Sequence, residues 1–181
     1  MVTLKGQYFA PATAVLLFQK LWKSSMVLVC LALIAALPAA AFWPVDTLTI
    51  QDDDGQNVLR VAMLPGNSFT TCYIHSVQLS PVVEEYFVQE GLIWLWRARV
   101  QGQNAGLPTQ APSRGHMYFS EPWVVFEGAL IYFASYALRV GNEKFGRNHL
   151  RIGQGPWQPL YRTLTNKRLH LTSSRCVLYR L

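Results

Sequence analysis

The sequence predicts an all-β fold, a single twisted β-barrel or sandwich of short antiparallel strands, preceded by one N-terminal transmembrane helix or signal anchor. Three observations carry this. From residue 46 onward, β-branched and aromatic runs recur between turn residues at intervals of roughly 8–15 positions. No long run of 3.6-residue periodicity appears after residue 43. Before it, residues 26–43 (MVLVCLALIAALPAAAFW) hold no charge over 18 positions. The composition agrees: 51% of the 181 residues are hydrophobic and six are tryptophan, which excludes a disordered chain because so much apolar surface can offset the entropy of ordering.

At 1.5 Å per residue the uncharged run covers about 27 Å as a helix, close to the hydrocarbon thickness of a thin membrane. Lys20 and Lys23 precede it, and Asp46, Asp52, Asp53 and Asp54 follow it. The positive-inside rule then puts residues 1–25 in the cytoplasm and residues 44–181 outside, in the periplasm or on the external face. Phe42 and Trp43 suit the interfacial belt, and Pro44 ends the helix. A cleaved signal peptide is the competing reading, since Ala39, Ala40 and Ala41 offer an A-x-A-like site; both readings export the same domain. Cys30 reads as a lipid-facing or packed apolar side chain.

Within the exported part, Thr47–Ile50 and Val58–Leu64 flank an Asp54-Gly55 hairpin signal. Phe69–Val77 and Glu84–Gln89 flank a turn containing Ser80-Pro81, and Glu90-Gly91 leads into LIWLWRARV. Strict alternation there puts Leu92, Trp94, Trp96, Ala98 and Val100 on one face and Ile93, Leu95, Arg97 and Arg99 on the other. A Gly-, Pro- and amide-rich loop runs from Gln101 to Arg114. Further strands are expected at 116–119, 123–127, 130–140, 149–152, 158–161 and in the C-terminal CVLYRL. Roughly eight to eleven strands result, and closure into a barrel is expected because so many short strands otherwise leave open edges.

The formal net charge of +6 is a sum of unlike parts, since Lys5, Lys20 and Lys23 supply half of it. The remainder is ordinary for a soluble domain and gives no reason to expect a nucleic-acid partner. Three cysteines are too few for a disulfide scaffold, and no closely spaced Cys/His set offers a metal site. No cofactor is expected.

The chemically richest stretch is Ile74–Tyr86. His75, Ser76 and Glu84 resemble parts of a hydrolase triad, but neighbouring strand residues point to opposite faces and no G-x-S-x-G elbow is present, so no catalytic residue is assigned. If Leu79-Ser80 is a two-residue loop, His75 lies directly opposite Glu84, as a ligand-binding or register-fixing pair. Cys72 and Cys176 are the only thiols of the exported part and are candidates for a disulfide. Arg139, Lys144, Arg147 and Arg151 form a basic stretch suited to lipid phosphate or an acidic partner, or to a solvated rim. Trp94, Trp96, Trp123 and Trp157 read as a stacking surface or, by strand spacing, as core.

The phrase YIHSVQLSPVVEEY and the loop Ala105-Gly106-Leu107-Pro108 resemble the domain-of-unknown-function family 1850. The matching residues are Tyr73, His75, Ser76, Val77, Pro81, Val82 and Glu84, then the loop, then Arg139-Val140-Gly141, and His149, Leu150, Ile152 and Gly153. Ile74 and Gln78 depart from the family's Thr and Glu. The resemblance implies a small exported bacterial protein associated with TAXI-class TRAP transporters, with no established activity.

The function expected is therefore that of a non-enzymatic, single-pass inner-membrane accessory that docks on the permease or substrate-binding protein of a TRAP-type transporter. A second reading is a small-ligand binding or sensing module using the His75 and Glu84 region, for a ligand the residues do not name. A hydrolase stands third.

Overall fold

The computed structural model describes residues 26–32, 34, 42–102 and 110–177, apart from the side chains of 129 and 130. The expected cytoplasmic segment 1–25, most of the second half of the uncharged run, the Ala105–Pro108 loop and residues 178–181 lie outside these. Two compact units divide the chain between Trp43 and Pro44. In the first, residues 26–32 and 34 are helical. Among the described residues no helix is long and apolar enough to cross a membrane.

Among the described residues the second unit holds eleven strands: β1 (Pro44–Asp52), β2 (Asn57–Met63), β3 (Ser68–Ile74), β4 (Pro81–Gln89), β5 (Leu92–Val100), β6 (His116–Ser120), β7 (Trp123–Phe133), β8 (Ser135–Arg139), β9 (His149–Ile152), β10 (Gln158–Pro159) and β11 (Arg168–Val177). They build a four-stranded sheet, β2-β1-β11-β8, and a seven-stranded one, β10-β9-β3-β4-β5-β7-β6. All named pairings are antiparallel.

The architecture is a sandwich, and the expected barrel does not close. The chain leaves the large sheet after Phe133 and enters the small one at Ser135, so Ala134 is a corner between sheets instead of a point where neighbouring strands bond. The edges are handled by brevity: β6 has five residues and β10 two, the second being Pro159, which donates no hydrogen bond. Three strand expectations change with this: the strands expected at 123–127 and 130–140 are instead β7, unbroken to Phe133, and β8 beyond the corner. The stretch 158–161 is a two-residue strand followed by a helical turn, Leu160–Thr163. The last strand starts at Arg168, because Leu169 and Leu171 alternate inward while polar neighbours face out.

The core lies between the sheets. Leu48 and Ile50 of β1 and Leu169 and Leu171 of β11 pack with Phe69, Tyr86, Val88, Ile93 and Leu150 of the large sheet. Phe69 stacks on Tyr86 with centroids 4.8 Å apart, and Tyr136 and Phe133 continue the aromatic row. A second cluster, Val82, Ala98, Val100, Val124 and Phe126, fills the other end of β4, β5 and β7. The sheets are also tied by Asp46, whose carboxylate accepts from the backbone N–H groups of Glu90 and Gly91 at 3.0 Å each. Both of those residues have positive φ in a two-residue hairpin loop, a conformation that glycine adopts freely.

A bulge decides which residues of β5 face in. The pairing with β4 shifts between Glu85 and Tyr86, which oppose Arg97 and Leu95 and leave Trp96 as an extra residue. The pairing with β7 shifts at the same place, opposite Gly128, whose φ of +74° is a left-handed conformation. Ile93 and Leu95 therefore face the core on one side of the bulge, and Ala98 and Val100 on the other. Strict alternation across LIWLWRARV is thus corrected: the extra residue reverses the phase, and Trp94, Trp96, Arg97 and Arg99 share the outer face.

Candidate functional site

The register places Ile74 opposite Pro81 and Thr71 opposite Glu84. The expected pairing of His75 with Glu84 is thereby corrected by four residues. The β3–β4 connection spans His75–Ser80 instead of two residues, because His75 organises a wider turn. Its N–H donates to the Ser80 carbonyl and its carbonyl accepts from the Leu79 N–H, both at 2.9 Å. Its ring Nδ1 accepts from the N–H groups of Val77 and Gln78 at 3.3 Å. Ser76 lies exposed on the same turn.

Glu84 keeps its inward orientation with different neighbours. Its Oε2 accepts from the Tyr86 hydroxyl at 2.8 Å and from the Thr71 hydroxyl at 3.4 Å. Burial pushes its carboxyl above the usual range, partly offset by those two donors. The Tyr73, Tyr86 and Tyr136 hydroxyls are raised as well, chiefly by burial and then by the Glu84 charge.

Cys72 and Cys176 are both free thiols, so the candidate disulfide is not formed. They belong to different sheets, Cys72 to β3 and Cys176 to β11, where its sulfur lies 3.1 Å from the Thr47 hydroxyl. Burial raises the Cys72 thiol, against the lowering effect of Arg99.

The basic stretch also divides. Arg139 sits on β8 of the small sheet opposite Arg168, whereas Arg151 sits on β9 of the large one. Arg147 donates to the Glu143 carbonyl at 2.6 Å. Lys144 lines an open groove of about 530 Å³ with Asn142, Glu143, Tyr161, Arg162 and Thr165. Among the described residues no group of three or more His, Cys, Asp or Glu could hold a metal ion.

What the fold does bring together is the outer face of the large sheet. One row of register partners crosses it as Arg151, Thr70, Glu85, Arg97, Glu127 and His116. Arg97 is the hub of that row. Its Nη1 donates to Glu85 at 3.2 Å and its Nε to Glu127 at 3.1 Å, with Nη2 on the same Glu127 oxygen. Ser68 and Tyr118 donate to the remaining carboxylate oxygens at 3.2 Å. The hydrogen bond from Arg97 holds the Glu127 carboxyl below its usual range.

Aromatic side chains flank this row on both sides. Trp94 packs on Tyr132 with centroids 5.0 Å apart, and Trp96 meets Phe87 edge-on at 6.1 Å. On the other side Arg99 lies 5.8 Å from the Trp123 ring centroid, and at the end of the row itself Arg151 lies 4.6 Å from that of Trp157. The four tryptophans, which strand spacing assigns to the core before a stacking surface, are thereby corrected to the outer face. A signal for this was present in the residues: strict alternation puts Arg97 and Arg99 on one face with Ile93 and Leu95, a conflict that only a bulge resolves.

Residues 69–158 match the model of the family described as Domain of unknown function (DUF1850). The chain carries a DUF1850 domain. The matched stretch begins in β3 and ends in β10, so it covers nearly the whole large sheet, while β1, β2 and β11 of the small sheet lie outside it. No curated protein and no solved structure matches the chain.

Proposed function

We propose that this protein is a membrane-anchored extracytoplasmic accessory that acts by docking, without chemistry of its own, and that its partner is the permease or the substrate-binding protein of a TAXI-class TRAP transporter. The observation that carries the docking reading is the open outer face of the DUF1850 sheet, where Trp94 and Trp96 pack on Tyr132 and Phe87, and Trp123 and Trp157 carry Arg99 and Arg151, instead of filling the core. Trp, Tyr and Arg are the side chains that dominate binding energy at protein interfaces. The membrane anchor is supported by the uncharged run 26–43 and the lysines before it. The transporter is supported by the family resemblance.

A ligand-sensing module at His75 and Glu84 is the weaker reading. The His75 ring already accepts two backbone N–H groups, and the Glu84 carboxylate already holds two hydroxyls. The test is crosslinking in native membranes. A photoreactive residue at Trp96 or Trp157 is expected to capture permease or binding protein when the transporter is co-expressed. Capture of neither from both positions would overturn the reading.

A further inference from the structure

Arg99 and Arg151 carry no carboxylate among the described residues, although Arg97, in the row of Arg151 and two residues before Arg99, carries two. We infer that the partner supplies those carboxylates, so that the DUF1850 sheet reads an acidic surface of a folded protein; this rests on the docking reading above.

Each guanidinium lies on an indole ring, Arg99 on Trp123 and Arg151 on Trp157. Stacking holds the planar group in place and leaves its N–H edge to meet a carboxylate in bidentate fashion. Three strand spacings and two residues separate them, roughly 16 Å on the sheet. A small dicarboxylate does not span that distance, whereas two fixed points on a folded surface do. The charge pattern then decides between a protein and a lipid surface. Glu85 lies between the two stations and Glu127 flanks Arg97. A uniformly anionic headgroup layer meets those carboxylates as well as the arginines. A protein can place acids opposite Arg99 and Arg151 alone.

The experiment uses the full chain with a photocrosslinker at Trp96, co-expressed with the TAXI-class permease and binding protein. The double substitution Arg99→Glu/Arg151→Glu is expected to lower the adduct with the transporter about tenfold or more, as expected for loss of two charge-paired contacts. Raised salt lowers the adduct of the parent chain but not that of the variant. Arg60→Glu/Arg168→Glu, on the small sheet, leaves it unchanged. Arg99→Lys/Arg151→Lys, which keeps charge and folding but loses the planar fork, reduces it several-fold. Equal adducts from the parent, Glu and Lys chains would overturn the carboxylate inference and leave docking intact. Adducts with lipid alone in the parent chain would overturn docking itself.

Discussion

Glu84 faces Thr71 across the β3–β4 pair, and its carboxylate is held by the Tyr86 hydroxyl at 2.8 Å. An acidic side chain thus sits on the inward face beside the stacked rings of Phe69 and Tyr86. A buried polar group is tolerated when its hydrogen bonds are met, and Glu84 meets them with hydroxyls instead of a cation.

That arrangement sets a pH dependence. The folded state holds the Glu84 proton more tightly than the unfolded chain, whose carboxyl has the ordinary value of 4.5. Stability from this group is full below that value and is lost as pH rises through the folded value. Glu84→Gln, which retains an acceptor for Tyr86, removes the loss. Urea denaturation at pH 5 and pH 8 is expected to give midpoints closer together for the variant than for the parent chain. An unchanged gap would contradict it.

Asp52 behaves in the opposite sense. Its carboxylate accepts from the Lys167 ammonium at 2.6 Å and from the N–H groups of Asp54 and Gln56 at 3.1 and 3.0 Å. The Lys167 hydrogen bond, then that from Gln56, hold the carboxyl below the ordinary 3.8. Its stabilisation is present above that value and lost as pH falls through the folded value. Asp52→Asn is expected to lower Tm by a few degrees at pH 7, with the difference shrinking at acid pH. A difference that persists unchanged into acid would sink this.

The bulge predicts unequal effects from side chains three residues apart. Ile93→Ala empties a fully buried position and is expected to cost about 2–5 kcal/mol. Trp96→Ala, at 39% exposure on the outer face, costs less despite removing more atoms, about 1 kcal/mol. Gly128→Ala forces a side chain into the left-handed region, at about 1–2 kcal/mol. Urea midpoints measure all three. A larger cost at Trp96 than at Ile93 would restore simple alternation.

The thiols give a direct chemical check. Alkylation of the unfolded, unreduced protein followed by mass spectrometry is expected to label both Cys72 and Cys176. In the folded protein Cys72 reacts slowly, because burial raises its thiol and only the thiolate is nucleophilic. Recovery of a Cys72–Cys176 bridged peptide would refute the free-thiol arrangement.

Much of the large sheet was legible in its residues, since β3, β4 and β5 fall where β-branched and aromatic runs stand between turn residues. The candidate face was only half legible. Its tryptophans stood out by type, but that Trp94 and Trp96 share a side with Arg97 and Arg99 depends on one extra residue at Trp96. Likewise the neighbour of Glu84 depends on the length of the His75–Ser80 turn, which the His75 ring sets by accepting two N–H groups.

The residues alone determine the all-β class, most strand positions, the Glu90-Gly91 hairpin and the uncharged run before Pro44, because these follow from local chemistry and a period of two. Only the tertiary structure decides that two open sheets form in place of a barrel, that Arg97 joins Glu85 to Glu127, and that the thiols stay apart. The physical reason is that a period-two pattern fixes alternation but not phase. A single inserted residue or a longer turn changes every partner beyond it, and the choice among phases is made by which side chains the opposing sheet can bury.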